Sequence, residues 1–76
     1  MTAQEFHERM YSLLRRQPFQ PFEVELIDGT RLLVHHPEAI ATDGGGAALG
    51  AQDGEIYLFN WKETRRIGQD AGAAAS

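Results

Sequence analysis

Apolar residues recur along this chain in two rhythms, and the change of rhythm falls near residue 18. In the first part Phe6, Met10, Leu13 and Leu14 stand at i, i+4, i+7 and i+8, one face of a 3.6-residue period. Thr2 and Glu5 have the spacing of a capping box, in which a hydroxyl accepts from the amide of residue 5 and the carboxylate reaches back. Glu5 and Arg9 add a favourable i,i+4 pair, and Arg15 and Arg16 stand where the helix dipole welcomes positive charge. Pro18 pushes Gln17 away from the α region. The pattern predicts a helix over 3–16.

After a stiff connector, Pro18-Phe19-Gln20-Pro21-Phe22, whose phenylalanines are placed to pin the helix on a sheet, the period becomes two. Asp-Gly pairs at 28–29, 43–44 and 53–54 mark turns between apolar segments. Strands are predicted over 22–26, 30–35, 39–42, 47–51 and 55–61, with a possible short strand at 64–67. In the first hairpin, a three-residue loop at 27–29 sets Phe22 opposite Val34, Val24 opposite Leu32 and Glu25 opposite Arg31, gathering one apolar face. A two-residue loop would mix apolar and acidic residues on each face. The three-residue loop requires Gly29 in the left-handed conformation of a G1 bulge. His36-Pro37 interrupts the second strand, since proline cannot donate to a ladder. Residues 1–67 read as a single domain, and 68–76, rich in alanine and glycine, as a disordered tail.

Residues 56–61 depart from the simple alternation. Ile56, Leu58 and Asn60 fall on one face and Tyr57, Phe59 and Trp61 on the other, so both faces are largely apolar. Three readings of the aromatic stripe stand side by side: core, with curvature closing over it; a self-association surface, since apolar patches mark partners; or a platform for stacking bases.

Composition narrows the field. Seventy-six residues lie near the lower limit for an unaided core, and the chain has no cysteine, so neither a disulfide nor a thiolate metal site can staple it. His7, His35 and His36 lack the spacing of a zinc site, and no cofactor motif is present. A compact core, self-association or both must supply stability. The start carries Glu5 and Glu8 in place of a basic segment followed by an apolar one, and no apolar run could cross a bilayer, which points to the cytoplasm.

Charge is uneven. Residues 1–21 carry a net +1, residues 22–61 a net −6 and residues 62–76 a net +1, giving −4 in all. An acidic sheet disfavours general binding to phosphate backbones. A small basic patch could draw on Arg9, Arg15, Arg16, Lys62, Arg65 and Arg66.

Catalytic constellations are weak. Ser12 and Ser76 are the only serines, and adjacent His35 and His36 point to opposite strand faces. Glu23 and Glu25 share a face, yet solvated strand carboxylates describe them better than an acid–base pair. Gly44, Gly45, Gly46 and Gly50 lack the lysine and hydroxyl of a phosphate loop. The R-x-x-P-x-x-P spacing from Arg15 matches a polyproline ligand, but its arginines belong to the helix and its phenylalanines to the core.

The run R-x-x-P-F-x-P-F-x-V-x-L-x-D-G-T-x-L-x-V-x-H-P-E, residues 15–38, covers about a third of the chain. It resembles a set of short uncharacterised bacterial proteins that share the helix, paired PF dipeptides, DG turn and HPE motif, and it implies no activity. More loosely, the order of helix and five antiparallel strands, the V-x-L-x-D-G opening at 24–29 and a final short strand at 62–67 resemble the Sm-like fold. That resemblance implies ring assembly and RNA binding.

The expected fold class is therefore α+β: an N-terminal α-helix packed on a strongly bent four- to five-stranded antiparallel β-meander, a small barrel of SH3- or Sm-like form. The expected function is that of a non-enzymatic protein-interaction or self-association domain, a homo-oligomer or the partner of another protein. Leu33, Tyr57, Phe59 and Trp61 are the candidate interface, and an Sm-like RNA-binding protein using the six basic residues is the alternative.

Overall fold

The computed structural model describes residues 1–51 and 53–68. Helix α1 spans Ala3–Leu14, opened by the capping box: the Glu5 amide donates to Thr2 Oγ1 at 3.0 Å, and the Thr2 amide donates to Glu5 Oε1 at 2.9 Å. The helix stops two residues before the predicted end. The carbonyl of Leu14 would need the amide of residue 18, which is proline and has none. Arg15 instead caps the end, its amide bonded to the Tyr11 carbonyl at 3.0 Å. Phe6 and Met10 are fully buried, and Leu13 and Leu14 pack half-buried beside them.

Six strands follow among the described residues: β1 Phe22–Leu26, β2 Arg31–Val34, β3 Ile40–Thr42, β4 Gly46–Gly50, β5 Ile56–Asn60 and β6 Thr64–Gly68. The β1–β2 hairpin has the register that favours an apolar face, with Phe22 opposite Val34 and Val24 opposite Leu32. Its loop closes through the Gly29 amide to the Leu26 carbonyl at 3.0 Å and the Leu26 amide to the Thr30 carbonyl at 2.8 Å. Gly29 takes φ +93°, the left-handed value a G1 bulge requires. Glu25 stands opposite Arg31, but the ion pairs differ from that register: Arg31 Nε lies 3.8 Å from Glu23, while Glu25 lies 3.2 Å from Arg66 on β6.

The sheet departs from a single bent meander of four or five strands. Six strands divide into two antiparallel three-stranded sheets, ordered β2-β1-β6 and β3-β4-β5, and no ladder joins them into a closed barrel among the described residues. Two local features impose the division. Pro37 starts a 3-10 turn, Pro37–Ala39, which separates β2 from β3. A second 3-10 turn, Trp61–Glu63, is capped by Asn60, whose Oδ1 accepts from the amides of Lys62 at 2.9 Å and Glu63 at 3.2 Å. That turn carries β6 away from β5 and back to β1, where Val24 faces Ile67.

One core joins the inner faces. Phe22, Val24, Leu32, Val34 and Ile67 come from the first sheet, Ile40, Leu49 and Phe59 from the second, and Phe6 and Met10 from α1. The Phe6 and Phe59 rings meet edge to face, 6.1 Å between centroids. Phe19 packs against Phe22 in the same manner and half-buries against this core. Thr64, the one buried polar residue among those described, donates its hydroxyl to the Asn60 carbonyl at 2.8 Å. The tail expected at 68–76 falls almost wholly outside the described residues; Gly68 itself ends β6 opposite Glu23.

Candidate functional site

The four expected interface residues do not form one surface. Phe59 is 4% exposed and lies in the core, so it presents nothing to a partner. Tyr57 and Trp61 are half-buried against the same core, while Leu33 is 49% exposed on β2. Leu33 and Tyr57 do meet at an open cleft between the two sheets, lined also by Arg31, Leu49, Ala51 and Asp53. There the Tyr57 hydroxyl donates to Asp53 Oδ2 at 3.4 Å, and that carboxylate pushes the phenol pKa upward by disfavouring a second negative charge. Trp61 lies against the glycine-rich turn: its amide bonds the Gly45 carbonyl at 3.0 Å. A Cβ added at Gly45 would come within 3.4 Å of the indole.

The exposed apolar side chains of β5 are those opposite the aromatics. Ile56 is 71% and Leu58 77% exposed. The register sets Ala41 of β3, Ala48 of β4 and Leu58 of β5 in one row across the outer face, with Gly50 beside Ile56 and Gly46 beside Asn60. Glycine and alanine strip that face of bulk, so Leu58 and Ile56 stand above a flat floor. A shallow depression of about 410 Å³ runs along it, reaching Thr42 and Asp43. Asp43 itself is held in the β3–β4 turn, its Oδ1 accepting from the Gly46 amide at 3.0 Å. Ile56 and Leu58 are the large apolar side chains exposed on the second sheet, and they are the candidate contact residues that the sequence pattern did not single out. The available signal lay in β4: Leu49 is its large residue and is buried, so the residues opposite it and in step with it, Tyr57 and Phe59, had to turn inward.

The six basic residues are dispersed over helix, turn and strand, and several spend their charge locally. Arg66 pairs with Glu25, Arg9 donates to the Ile67 carbonyl at 3.5 Å, and Arg65 donates to the Ile27 carbonyl at 3.2 Å. The Arg15 guanidinium lies 5.4 Å from the Tyr11 ring centre, with His7 stacked on the same ring at 5.0 Å, and Lys62 lies 5.6 Å from Trp61. Arg16 is exposed just past the helix.

Glu23 and Glu25 each face an arginine, as described. The His35 and His36 rings lie 4.9 Å apart, and His35 Nδ1 is buried without a hydrogen-bond partner among the described residues. Among those residues no three His, Asp or Glu side chains converge as metal ligands, and no helix is long and apolar enough to cross a membrane. Comparison with protein-family models, with curated proteins and with solved structures gave no match.

Proposed function

We propose that this protein is a small non-enzymatic interaction domain that works by self-association, with the outer face of β3, β4 and β5 as its contact surface. The observation that carries the reading is the exposure of Ile56 and Leu58 above the row of Ala41 and Ala48. Two large apolar side chains on a floor of alanine and glycine gain from being covered, by roughly 25 cal/mol for each Å² of apolar area removed from water. A second support is size. A chain of 76 residues buries a modest core, and association is a common route to stability for such chains. The finer architecture belongs to the same proposal: two three-stranded sheets wrapped on one core, linked by 3-10 turns and flanked by an N-terminal helix, suit a small barrel of SH3- or Sm-like form.

The test is solution mass. Light scattering across a range of micromolar concentrations is expected to give a mass rising above the 8.5 kDa of one chain. Leu58→Lys, which places a charge on the outer face without touching the core, is expected to return it to one chain. A wild-type protein of single-chain mass throughout that range would remove the reading.

A further inference from the structure

The hydrogen-bond parity of β5 says more about how two copies would meet. The Trp61 amide donates to the Gly45 carbonyl at 3.0 Å, and the Ala51 amide donates to the Glu55 carbonyl at 2.8 Å. Both bonds continue the β4–β5 register, in which Gly46 faces Asn60 and Gly50 faces Ile56. In an antiparallel ladder, hydrogen-bonded pairs alternate with non-bonded pairs. Tyr57 and Phe59 therefore turn their amides and carbonyls toward β4, as do the Glu55 carbonyl and the Trp61 amide, while Ile56, Leu58 and Asn60 turn theirs to the opposite edge. Asn60 is already engaged there: its amide bonds Glu63 Oε1 at 3.2 Å and its carbonyl accepts from Thr64. The sheet order places no strand beyond β5 among the described residues. Ile56 and Leu58, the two β5 residues with exposed apolar side chains, are thus also the two that hold out backbone donors and acceptors.

Edges of this kind are usually blunted by a charge, a proline or a bulge. Residues 56–60 contain neither charge nor proline, and their register with β4 runs without a shift. The charges lie at the ends of the strand, with Asp53 and Glu55 before it and Lys62 and Glu63 after it.

We infer that β5 is a pairing edge for a second copy of this chain, antiparallel about a two-fold axis at Tyr57. In that register Ile56 of each copy faces Leu58 of the other as a hydrogen-bonded pair. All four groups offered on each side are then matched, giving four interchain hydrogen bonds and one continuous six-stranded sheet. The two Ile–Leu pairs cover one another on the outer face. Charge selects the direction. Parallel pairing would set Asp53 and Glu55 of one copy beside the same two carboxylates of the other, whereas antiparallel pairing sends them to the far end of the partner strand, opposite Trp61 and Phe59. The two donors and two acceptors of this edge complement themselves about the two-fold axis, so a second copy matches every one of them. The contact is one strand wide, narrower than the roughly 800 Å² per partner of a standard stable interface, so the dimer should dissociate on dilution. The pairing presupposes the self-association proposed above and narrows its contact from the whole outer face to the β5 edge.

Three measurements on the full chain test it. Leu58→Pro removes an amide that points away from β4, a position where an edge strand tolerates proline; it is expected to abolish the dimer and keep the circular dichroism of the wild type. Should that variant unfold, amide hydrogen exchange on the wild type decides the matter: the Ile56 and Leu58 amides are expected to slow with rising concentration while the Phe59 amide, inside the β4 ladder, does not change. For register, the chain has no cysteine of its own. Tyr57→Cys is expected to form a disulfide-linked dimer on mild oxidation, because the two positions face each other at about 4.5 Å between Cα atoms. Leu58→Cys is not, its counterpart lying diagonally about 7–8 Å away. A dimer that survives Leu58→Pro, or Ile56 and Leu58 amides indifferent to concentration, would overturn the edge pairing and leave self-association standing. Cross-linking through Leu58→Cys but not Tyr57→Cys would overturn the register. A wild type that never dimerises would overturn both.

Discussion

Leu58 and Phe59 are neighbours in sequence and opposites in environment, 77% and 4% exposed. Phe59→Ala removes a ring that meets Phe6 in the core, and a loss of about 3–5 kcal/mol in folding stability is expected. Leu58→Ala, measured at dilution in the same denaturant titration, should stay within about 0.5 kcal/mol of the wild type, because exposed positions contribute little to the fold. Its effect belongs to association instead. Here the sequence was legible only up to a sign. Alternation showed that 56, 58 and 60 oppose 57, 59 and 61. With both sets apolar, it could not say which set faced inward until the β4 partners, with Leu49 inward and Ala48 outward, decided. Core was one of three readings that the aromatic stripe left open. The core took the aromatics because it needed their volume.

Among the elements, those held by local chemistry were readable in advance. The capping box of α1 follows from residues three positions apart, and the bulged β1–β2 hairpin from pairs no more than twelve apart. Thr2→Ala is expected to cost about 1 kcal/mol, read from the urea midpoint. Both elements also share a pH dependence. The Thr2 amide, and secondarily its hydroxyl, hold the Glu5 carboxyl below its ordinary pKa, and the Thr30 amide does the same for Asp28. Since both folded values are depressed, their contribution is fully present above the ordinary carboxylate range and fades as pH falls through the depressed values. Thermal melts from neutral to acid pH should show that loss, and Glu5→Gln should shrink it. A melting temperature that rises on acidification would contradict the assignment. The return of β6 to β1 was less legible. Val24 and Ile67 face each other across more than forty residues, a pairing set by the Asn60 cap and the packing of α1 on β6, not by any local pattern. The break between β2 and β3 was visible at Pro37, but its consequence, two sheets in place of one, was not.

At the scale of the whole molecule, one small core is shared by a helix and two sheets, and the two most exposed large apolar residues, Ile56 and Leu58, lie on one edge strand. The net charge of −4 opposes close approach of two copies, while the distribution of charge along β5 favours one orientation. Salt should therefore strengthen association modestly by screening the net repulsion. Nucleic-acid binding through the dispersed basic residues would respond in the opposite sense, weakening steeply as salt rises. The most direct test of the central claim is the solution mass of the wild-type chain as a function of concentration. A mass moving from one chain of 8.5 kDa toward two as concentration rises, and held at one by Leu58→Lys, is the predicted result. A constant single-chain mass across the micromolar range would contradict the account.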